Sequence, residues 1–385
     1  RGGRSEELEA STWQQLREIR PIPRELKGLP EVRIGFRVAT LALLAALVAF
    51  ALTAPPFRVG QVALILILAM IGLSLVVLTG WAGQISLGQM GFAGVGAAVT
   101  GALLIKQDWN ILLALLAAGA IGAVVAAIVG LPALRIRGLF LAASTVAFGL
   151  IVGTVVLNQN FFGWLLVRDR IERPPVFGYD LTDDRSFFFF VLAVFALTLY
   201  SARSLRKSRL GRVLIAARDN EAAVKAYGVN VTAARLTAFA FSGFYAAVAG
   251  GLFALHQNAV SATTFSVEAS LQVFVMVVIG GLGSIPGALL GAAYYFSVLF
   301  FLPPIYSLLA TGLGMVVLLM IVPGGLGQVA YGWRDGLLRW VAKRNDVVVP
   351  SLVADMRTDD SVLLPGVRRE APEAEKEPVP TGGGS

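Results

Sequence analysis

The sequence contains no cysteine and a single histidine, His256. Without cysteine the chain cannot form a disulfide, a thiolate metal site or a cysteine nucleophile, and one histidine nearly excludes histidine-rich metal chemistry. Charged residues are also scarce, at 15% of 385 residues, whereas a soluble domain carries about 25%. The chain therefore has too little polar material to cover an aqueous surface, and we expect neither a catalytic site nor a metal site in it.

Hydrophobic residues make up 56% of the sequence, and nearly uncharged apolar runs recur that are long enough to cross about 30 Å of hydrocarbon. These runs predict an all-α polytopic membrane protein with about ten transmembrane helices. The predicted spans are about 38–54, 59–79, 86–105, 111–131, 139–157, 187–202, 236–256, 270–280, 286–302 and 305–322. The eighth is too short to cross alone, so it is either extended by preceding residues or part of a broken helix.

The lysine and arginine residues predict the orientation. With the N-terminus in the cytoplasm, eight basic residues precede residue 38, two lie at 135 and 137, eight lie in 203–235 and eight follow residue 322. Only six fall outside, so both termini are expected in the cytoplasm under the positive-inside rule. The expected domains are a cytoplasmic N-terminal segment (1–37), a transmembrane domain (38–322) with a polar cytoplasmic loop (203–235), and a cytoplasmic tail (323–385) that is largely disordered. The net charge of +8 reflects basic cytoplasmic loops rather than a nucleic-acid partner.

One polar stretch, "AARDNEAAVKAYGVN", lies between long apolar runs. Asp219 or Asn220 is a suitable helix N-cap, and Gly228 suits the position just after the helix end. Glu221 and Lys225 are four residues apart in the order that favours an ion pair. The stretch therefore predicts about two turns of helix between two spans.

Such a short helix is marginal by itself in water, so another part of the protein must hold it. Its alanines, Ala222, Ala223 and Ala226, form a small-residue face on which another surface could close. The helix is either an ordinary solvated loop helix or a docking element for a cytoplasmic partner.

A second stretch, "WAGQISLGQMGFAGVGA", places Gln84, Ser86 and Gln89 among many glycines at the mouth of a span. Close helix packing explains the glycines. It explains the glutamines less well, because an uncompensated amide is costly in hydrocarbon. These three polar residues are candidates for lining a translocation pathway.

The segment "GGLGSIPG" is expected to break a helix at a cytoplasmic end. Its residues Gly280, Gly281, Gly283 and Ser284 could form a gate, a second contact for a cytoplasmic partner, or a plain tight turn. A mixed-charge run in the long outer loop is either solvated or part of a platform for an extracytoplasmic protein. The run comprises Arg168, Asp169, Arg170, Glu172 and Arg173.

The sequence shows no energy source of its own. It has no G-x-x-x-x-G-K-[ST] phosphate-binding loop, and the predicted spans hold essentially no ionisable residue of the kind that couples ions in secondary transporters. This favours a permease powered by another chain, with a self-sufficient channel or secondary transporter as the alternative. A membrane scaffold is disfavoured because it would not need glutamine- and glycine-rich intramembrane segments.

Several of these motifs together resemble one family. The stretch "GRVLIAARDNEAAVKAYGV", followed by "LTAFAFSG" and "GGLGSIPG" and preceded by "GWAGQISLGQMGFAGVGA" and "TVAFGLI", is similar to the permease subunits of ATP-binding-cassette importers for branched-chain amino acids. The resemblance covers roughly residues 60–325, and its M-type branch is the nearest. In that family the polar stretch is the coupling helix that contacts the ATPase. The resemblance implies this role for Arg218, Asp219, Asn220, Glu221, Ala222, Ala223 and Gly228.

The resemblance also implies the partners and the location. It predicts two ATPase subunits that carry ATP and Mg, a second permease of the related H type, an extracytoplasmic binding protein, and surrounding lipid in a prokaryotic cell membrane. The implied cargo is a branched-chain or other small amino acid. This chain reads "NFFGWLLVRDRIERPP" where the family commonly has a Thr-Gly-Gly-x-x-Gly-like segment, so urea, short amides or sugars are the alternative cargo.

Overall fold

The computed structural model describes residues 29–134, 139–166, 170–176, 178–301, 303–322 and 324–345, and these residues are helical with short connections. The helices are α1 Pro30–Thr53, α2 Pro56–Leu75, α3 Gln89–Gln107, α4 Ile111–Ala133, α5 Leu139–Ile151, α6 Gln159–Phe162, α7 Asp184–Lys207, α8 Arg209–Asp219, α9 Glu221–Ala226, α10 Val231–Gln257, α11 Val267–Gly280, α12 Ile285–Phe301, α13 Pro304–Ile321 and α14 Leu326–Arg344. Two of them continue as π-helical turns, α2 through Val76–Trp81 and α5 through Val152–Val156. The prediction of an all-α polytopic membrane protein is confirmed.

Each of the ten predicted spans contains a helix, but the helices differ in length. Within the described residues, six helices are long and apolar enough to cross a membrane alone, and a bent pair raises the number to at most seven. The bent pair is α11 and α12, whose axes turn by 118° at the break between them. The predicted eighth span is thus both extended by preceding residues, since α11 begins at Val267, and part of a broken helix.

The core forms around α10, which packs against α2, α3 and α4. Glycines allow the backbones to come close: a β-carbon added at Gly96 would lie 2.0 Å from the carbonyl oxygen of Ala247, and one added at Gly250 would lie 1.9 Å from that of Ala93. Any larger residue would have to push these backbones apart. The glycine-containing parts of α3 and α10 therefore pack directly against each other.

The connections between helices gather at two ends of the bundle. At one end, here called the inner side because the sequence predicts that it faces the cytoplasm, the turn after α2 contacts both the α8–α9 segment and the α11–α12 turn. At the other end, the outer side, residues 170–184 contact the first turns of α2 and the end of α10. Phe300 near the end of α12 lines the same outer cavity as His256, so the bent pair returns to the side from which it started.

One helix lies where the sequence predicted a largely disordered tail. Four residues separate the end of α13 from the start of the 19-residue helix α14. Its Leu338 and Ala342 are buried against Val32 near the start of α1. Residues 346–385, like residues 1–28, lie outside the described part of the chain.

Candidate functional site: the inner coupling segment

The predicted coupling helix is present as α9 and is held by its own side chains. The Oδ1 atom of Asn220 accepts a hydrogen bond from the backbone N–H of Ala223 at 2.9 Å, so Asn220 is the N-cap. Glu221 pairs with Lys225 at 2.7 Å, as predicted, and also with Arg235 at the start of α10 at 3.0 Å. These contacts attach the short helix to the long span that follows it.

The pairing of Glu221 also changes its acidity. Partial burial raises the pKa of this carboxyl, but the hydrogen bonds and positive charges of Lys225 and Arg235 outweigh that effect and leave the pKa below its ordinary value. Gly228 ends the segment with a φ of 72°, which favours glycine. The coupling segment is therefore ionised and capped at both ends at neutral pH.

The outward face of α9 is open. Ala222, Ala223 and Ala226 are exposed, and Tyr227 just after the helix is 88% exposed. Within the described residues no side chain of α9 is buried. A flat face of small side chains beside one exposed tyrosine suits a partner protein that approaches closely.

Arg218 points away from that face, into the bundle. Its Nη1 atom donates a hydrogen bond of 2.6 Å to the carbonyl oxygen of Gly80, and its side chain is only 11% exposed. Its Nη2 atom pairs with Asp219 at 2.8 Å. Gly83, with a φ of 69°, leaves room for this side chain, because a β-carbon there would lie 2.8 Å from Cγ of Arg218. Arg218 therefore faces the bundle, whereas the alanines of α9 face outward.

The turn that Arg218 holds touches the second glycine-rich turn. A β-carbon at Gly80 would lie 1.9 Å from the carbonyl oxygen of Leu282, and the indole Nε1 of Trp81 lies 3.4 Å from the carbonyl oxygen of Gly283. We call these five residues, Arg218, Gly80, Trp81, Leu282 and Gly283, the coupling-turn cluster. The cluster connects the coupling segment, the end of α2 and the break between α11 and α12.

The segment predicted as a gate or turn forms the break itself. Gly281 has a φ of 102°, and the hydroxyl oxygen of Ser284 accepts a hydrogen bond of 2.9 Å from the backbone N–H of Gly287 in α12. Gly280 packs tightly on Gly287, whereas a β-carbon at Gly283 would meet nothing within 4 Å. The segment therefore forms a sharp helix break in which Gly283, unlike Gly280 and Gly281, has space for a larger side chain.

Two of the three predicted pathway residues, Ser86 and Gln89, belong to one buried hydrogen-bond network. Gln89 is fully buried, and its Nε2 donates to the hydroxyl oxygens of Ser74 at 2.6 Å and Ser242 at 2.8 Å. The Oε1 atom of Gln89 accepts a bond of 3.1 Å from Ser86. Gln84 is 8% exposed and donates to a backbone carbonyl two residues away. In this conformation these side chains join α2, α3 and α10.

A polar cavity of about 790 Å³ opens at the outer side. Among its lining residues, Arg173 pairs with Asp184 at 3.0 Å and donates from Nε to the carbonyl oxygen of Leu255. Its guanidinium lies 4.1 Å from the ring centre of Phe187. Arg173 is therefore an anchor of the outer loop and not a solvated residue. Arg170 and Glu172 are exposed, while Arg168 and Asp169 lie outside the described residues.

Sequence reasoning missed several partners in these networks. Ser74 and Ser242 complete the Gln89 network, Arg235 holds Glu221, and Asp184 holds Arg173. Ser74 and Ser242 are single polar residues within apolar helices, and that isolation could have marked them, although it does not identify the partner. Asp184 and Arg235 lie near helix starts among other polar residues, so no such signal marks them. Within the described residues no three acidic or histidine side chains gather as they would around a metal ion.

Comparison with known proteins identifies the family. The family described as "Branched-chain amino acid transport system / permease component" matches residues 57–322. The high-affinity branched-chain amino acid transport system permease protein LivM of Salmonella typhimurium is 31% identical over 307 residues, which cover 73% of this chain and 72% of that protein. LivM of Escherichia coli is 31% identical over 268 residues, or 63% of each chain.

A relative with a different name also matches. The probable branched-chain amino acid transport permease protein LivH of Methanocaldococcus jannaschii is 31% identical over 153 residues, which cover 36% of this chain and 47% of that protein. No solved structure matches the chain. The likeness thus extends to permeases named LivM and to one named LivH.

Proposed function

The chain belongs to the permease family of branched-chain amino acid transport systems, and we propose that it is the M-type subunit of an ATP-driven importer that a binding protein supplies. Its proposed cargo is a branched-chain or other small amino acid, the class that the names of its relatives give. It would lie in a prokaryotic cell membrane with both termini in the cytoplasm, as its basic residues predict.

The observation that carries this proposal is the attachment of an open helix to the break in the bundle. The small-residue face of α9 is exposed, while Arg218, three residues before the start of α9, is bonded to the turn after α2. The turn after α2 also contacts the break between α11 and α12. A protein that moved α9 would therefore move the coupling-turn cluster with it.

The proposed mechanism follows from these contacts. Two ATPase subunits bind the α9 faces of two permeases, and they carry the ATP and Mg, since this sequence has no phosphate-binding loop. When they close on ATP, α9 shifts and Arg218 transfers the shift to the turn at Gly80. The glycine-lined break then changes its angle, because packed elements move between discrete arrangements rather than deforming continuously. The network around Gln89 keeps α2, α3 and α10 together during this change.

The remaining partners lie on other surfaces. The second permease would be a related chain of the H type, which the partial likeness to LivH supports. The binding protein would meet the outer side, where the exposed Arg170 and Glu172 border the 790 Å³ cavity. Opposite charges close together suit the ammonium and carboxylate groups of an amino acid as it enters.

The test is affinity purification of the full-length chain from its native membranes in mild detergent, followed by mass spectrometry. We expect ATPase subunits and a second permease to copurify. Ala223→Trp should lower the recovery of the ATPase subunits, because the larger side chain obstructs the open face of α9. Arg218→Ala serves as the control that should leave recovery unchanged, since that side chain faces the bundle. A chain that purifies alone and transports in liposomes without ATP would overturn the proposal.

A further inference from the structure

The helix α14 has an exposed apolar stripe in addition to its packed face. Leu338 and Ala342 are buried against α1. On the opposite face Trp333 is 78% exposed, Leu337 67% and Trp340 58%. Residues three and four apart share one face of a helix. The helix therefore has two apolar faces, of which the chain itself covers only one within the described residues.

Both ends of α14 are attached at the inner side. At its start, a β-carbon on Gly327 would lie 2.2 Å from the hydroxyl oxygen of Ser284 in the α11–α12 turn. At its end, Nδ2 of Asn345 donates a hydrogen bond of 3.1 Å to Glu31 in the first turn of α1. A helix of 19 residues spans about 28 Å. The helix thus crosses from the broken-helix turn to α1 along the inner end of the bundle.

The contact with α1 gives the depth of α14 relative to the membrane. Helix α1, Pro30–Thr53, is long and apolar enough to cross a membrane. Its 24 residues extend about 36 Å, which is roughly 6 Å more than the hydrocarbon core. Its first turn, with Val32 and the basic residue Arg33, therefore extends into the headgroup layer. Helix α14 packs on Val32 and lies at the same level, where amphipathic helices insert their apolar faces about 5–10 Å deep.

The charge of α14 complements an anionic lipid surface. The helix has four basic residues, Arg334, Arg339, Lys343 and Arg344, and one acidic residue, Asp335, a net charge of +3. Arg334 and Asp335 pair at 2.7 Å, while Arg339 and Arg344 are exposed. Tryptophan is enriched at membrane–water interfaces, where its ring sits at the headgroup level.

We propose that α14 is an interfacial helix that binds the inner leaflet, with Trp333, Leu337 and Trp340 inserted among the acyl chains and Arg339 and Arg344 on anionic headgroups. The occupant of the exposed stripe is lipid and not a protein partner. Lipid bound to α14 would also constrain the turn between α11 and α12, because Gly327 near the start of α14 contacts Ser284 of that turn. The composition of the inner leaflet would then affect the break in the bundle.

The absence of cysteine from the chain makes a direct test possible. A single Leu337→Cys variant of the full chain is labelled with a fluorophore and placed in nanodiscs that contain lipids brominated on the acyl chains. We expect brominated lipid to quench most of the fluorescence and aqueous iodide to quench little of it. A label at Tyr227→Cys, on the exposed coupling segment, is the control that should show the reverse.

The charge dependence is tested with the same label. In nanodiscs with phosphatidylglycerol the quenching by brominated lipid should exceed that in phosphatidylcholine alone, and Arg339→Gln with Arg344→Gln should remove the difference. A label at 337 that iodide quenches freely would overturn the proposal. So would protection that appears only when ATPase subunits are added, because the stripe would then bind protein. Equal quenching in both lipids would overturn the preference for anionic headgroups.

Discussion

The change Arg218→Ala tests whether the coupling segment transmits movement through the turn at Gly80. The lost bond is a charge-assisted hydrogen bond of 2.6 Å between a nearly buried guanidinium and a backbone carbonyl. Hydrogen bonds to charged groups contribute about 1.5–3 kcal/mol. The accompanying pair with Asp219, whose side chain is 44% exposed, adds at most about 1 kcal/mol.

A loss of about 2 kcal/mol corresponds to roughly 30-fold in the equilibrium between a turn that is attached to the coupling segment and one that is detached. We therefore expect the amount of solute transported per ATP hydrolysed to fall about tenfold or more in proteoliposomes that contain the complete transporter. ATPase subunits should still bind, because Arg218 is not part of the exposed face of α9. The variant would hydrolyse ATP without transporting its cargo efficiently.

Two further variants make the test specific. Arg218→Lys keeps the positive charge but cannot bond Gly80 and Asp219 with one planar group, so its loss should be intermediate. Arg212→Ala removes an exposed arginine from the same helix and should leave the ratio of transport to hydrolysis unchanged. Normal coupling in Arg218→Ala would refute the transmission that we infer. Loss of ATPase recovery in that variant would show that Arg218 belongs to the docking surface instead.

Three other predictions follow from the same contacts. Gly80→Ala should impair transport and lower the unfolding temperature in detergent by several degrees, because the added methyl group would meet the carbonyl oxygen of Leu282. The control Gly283→Ala should be tolerated, and equal effects of the two substitutions would contradict the close contact at Gly80. Gln89→Leu removes three buried hydrogen bonds and should cost about 2–4 kcal/mol, so the chain should unfold at a lower temperature; an unchanged unfolding temperature would argue against the network. Because ionised Glu221 stabilises the coupling segment and its pKa is lowered there, the amide protection factors of the segment, corrected for the intrinsic pH dependence of exchange, should be highest at neutral pH. They should fall as acid protonates this carboxylate, and an identical profile in Glu221→Gln would disprove the link.

The local structure of the coupling segment could be read from the sequence because it depends on near neighbours. The cap at Asn220, the pair of Glu221 with Lys225 and the stop at Gly228 all involve residues within five positions of one another. Such contacts follow from spacing along a helix. The direction of Arg218 could not be read in this way, since its acceptor Gly80 is 138 positions away.

The polar residues of the spans show the same division. The sequence indicates that Gln89 needs partners in hydrocarbon, but it does not show whether those partners are cargo or protein. The structure provides Ser74 and Ser242 from two other helices. In the tail, Trp333, Leu337 and Trp340 of α14 are spaced as residues on one face of a helix. The charged residues around them nevertheless led to the prediction that the tail is largely disordered.

The sequence by itself determined the membrane setting, the helical class and the presence of a capped polar segment, because each depends on composition or on short-range spacing. Only the tertiary structure decided that the break between α11 and α12 bends by 118°, that it touches the turn held by Arg218, and that α14 lies across the inner end. These features arise where distant segments pack. Their free energy comes from close contacts between backbones, and no local pattern in one segment specifies its partner.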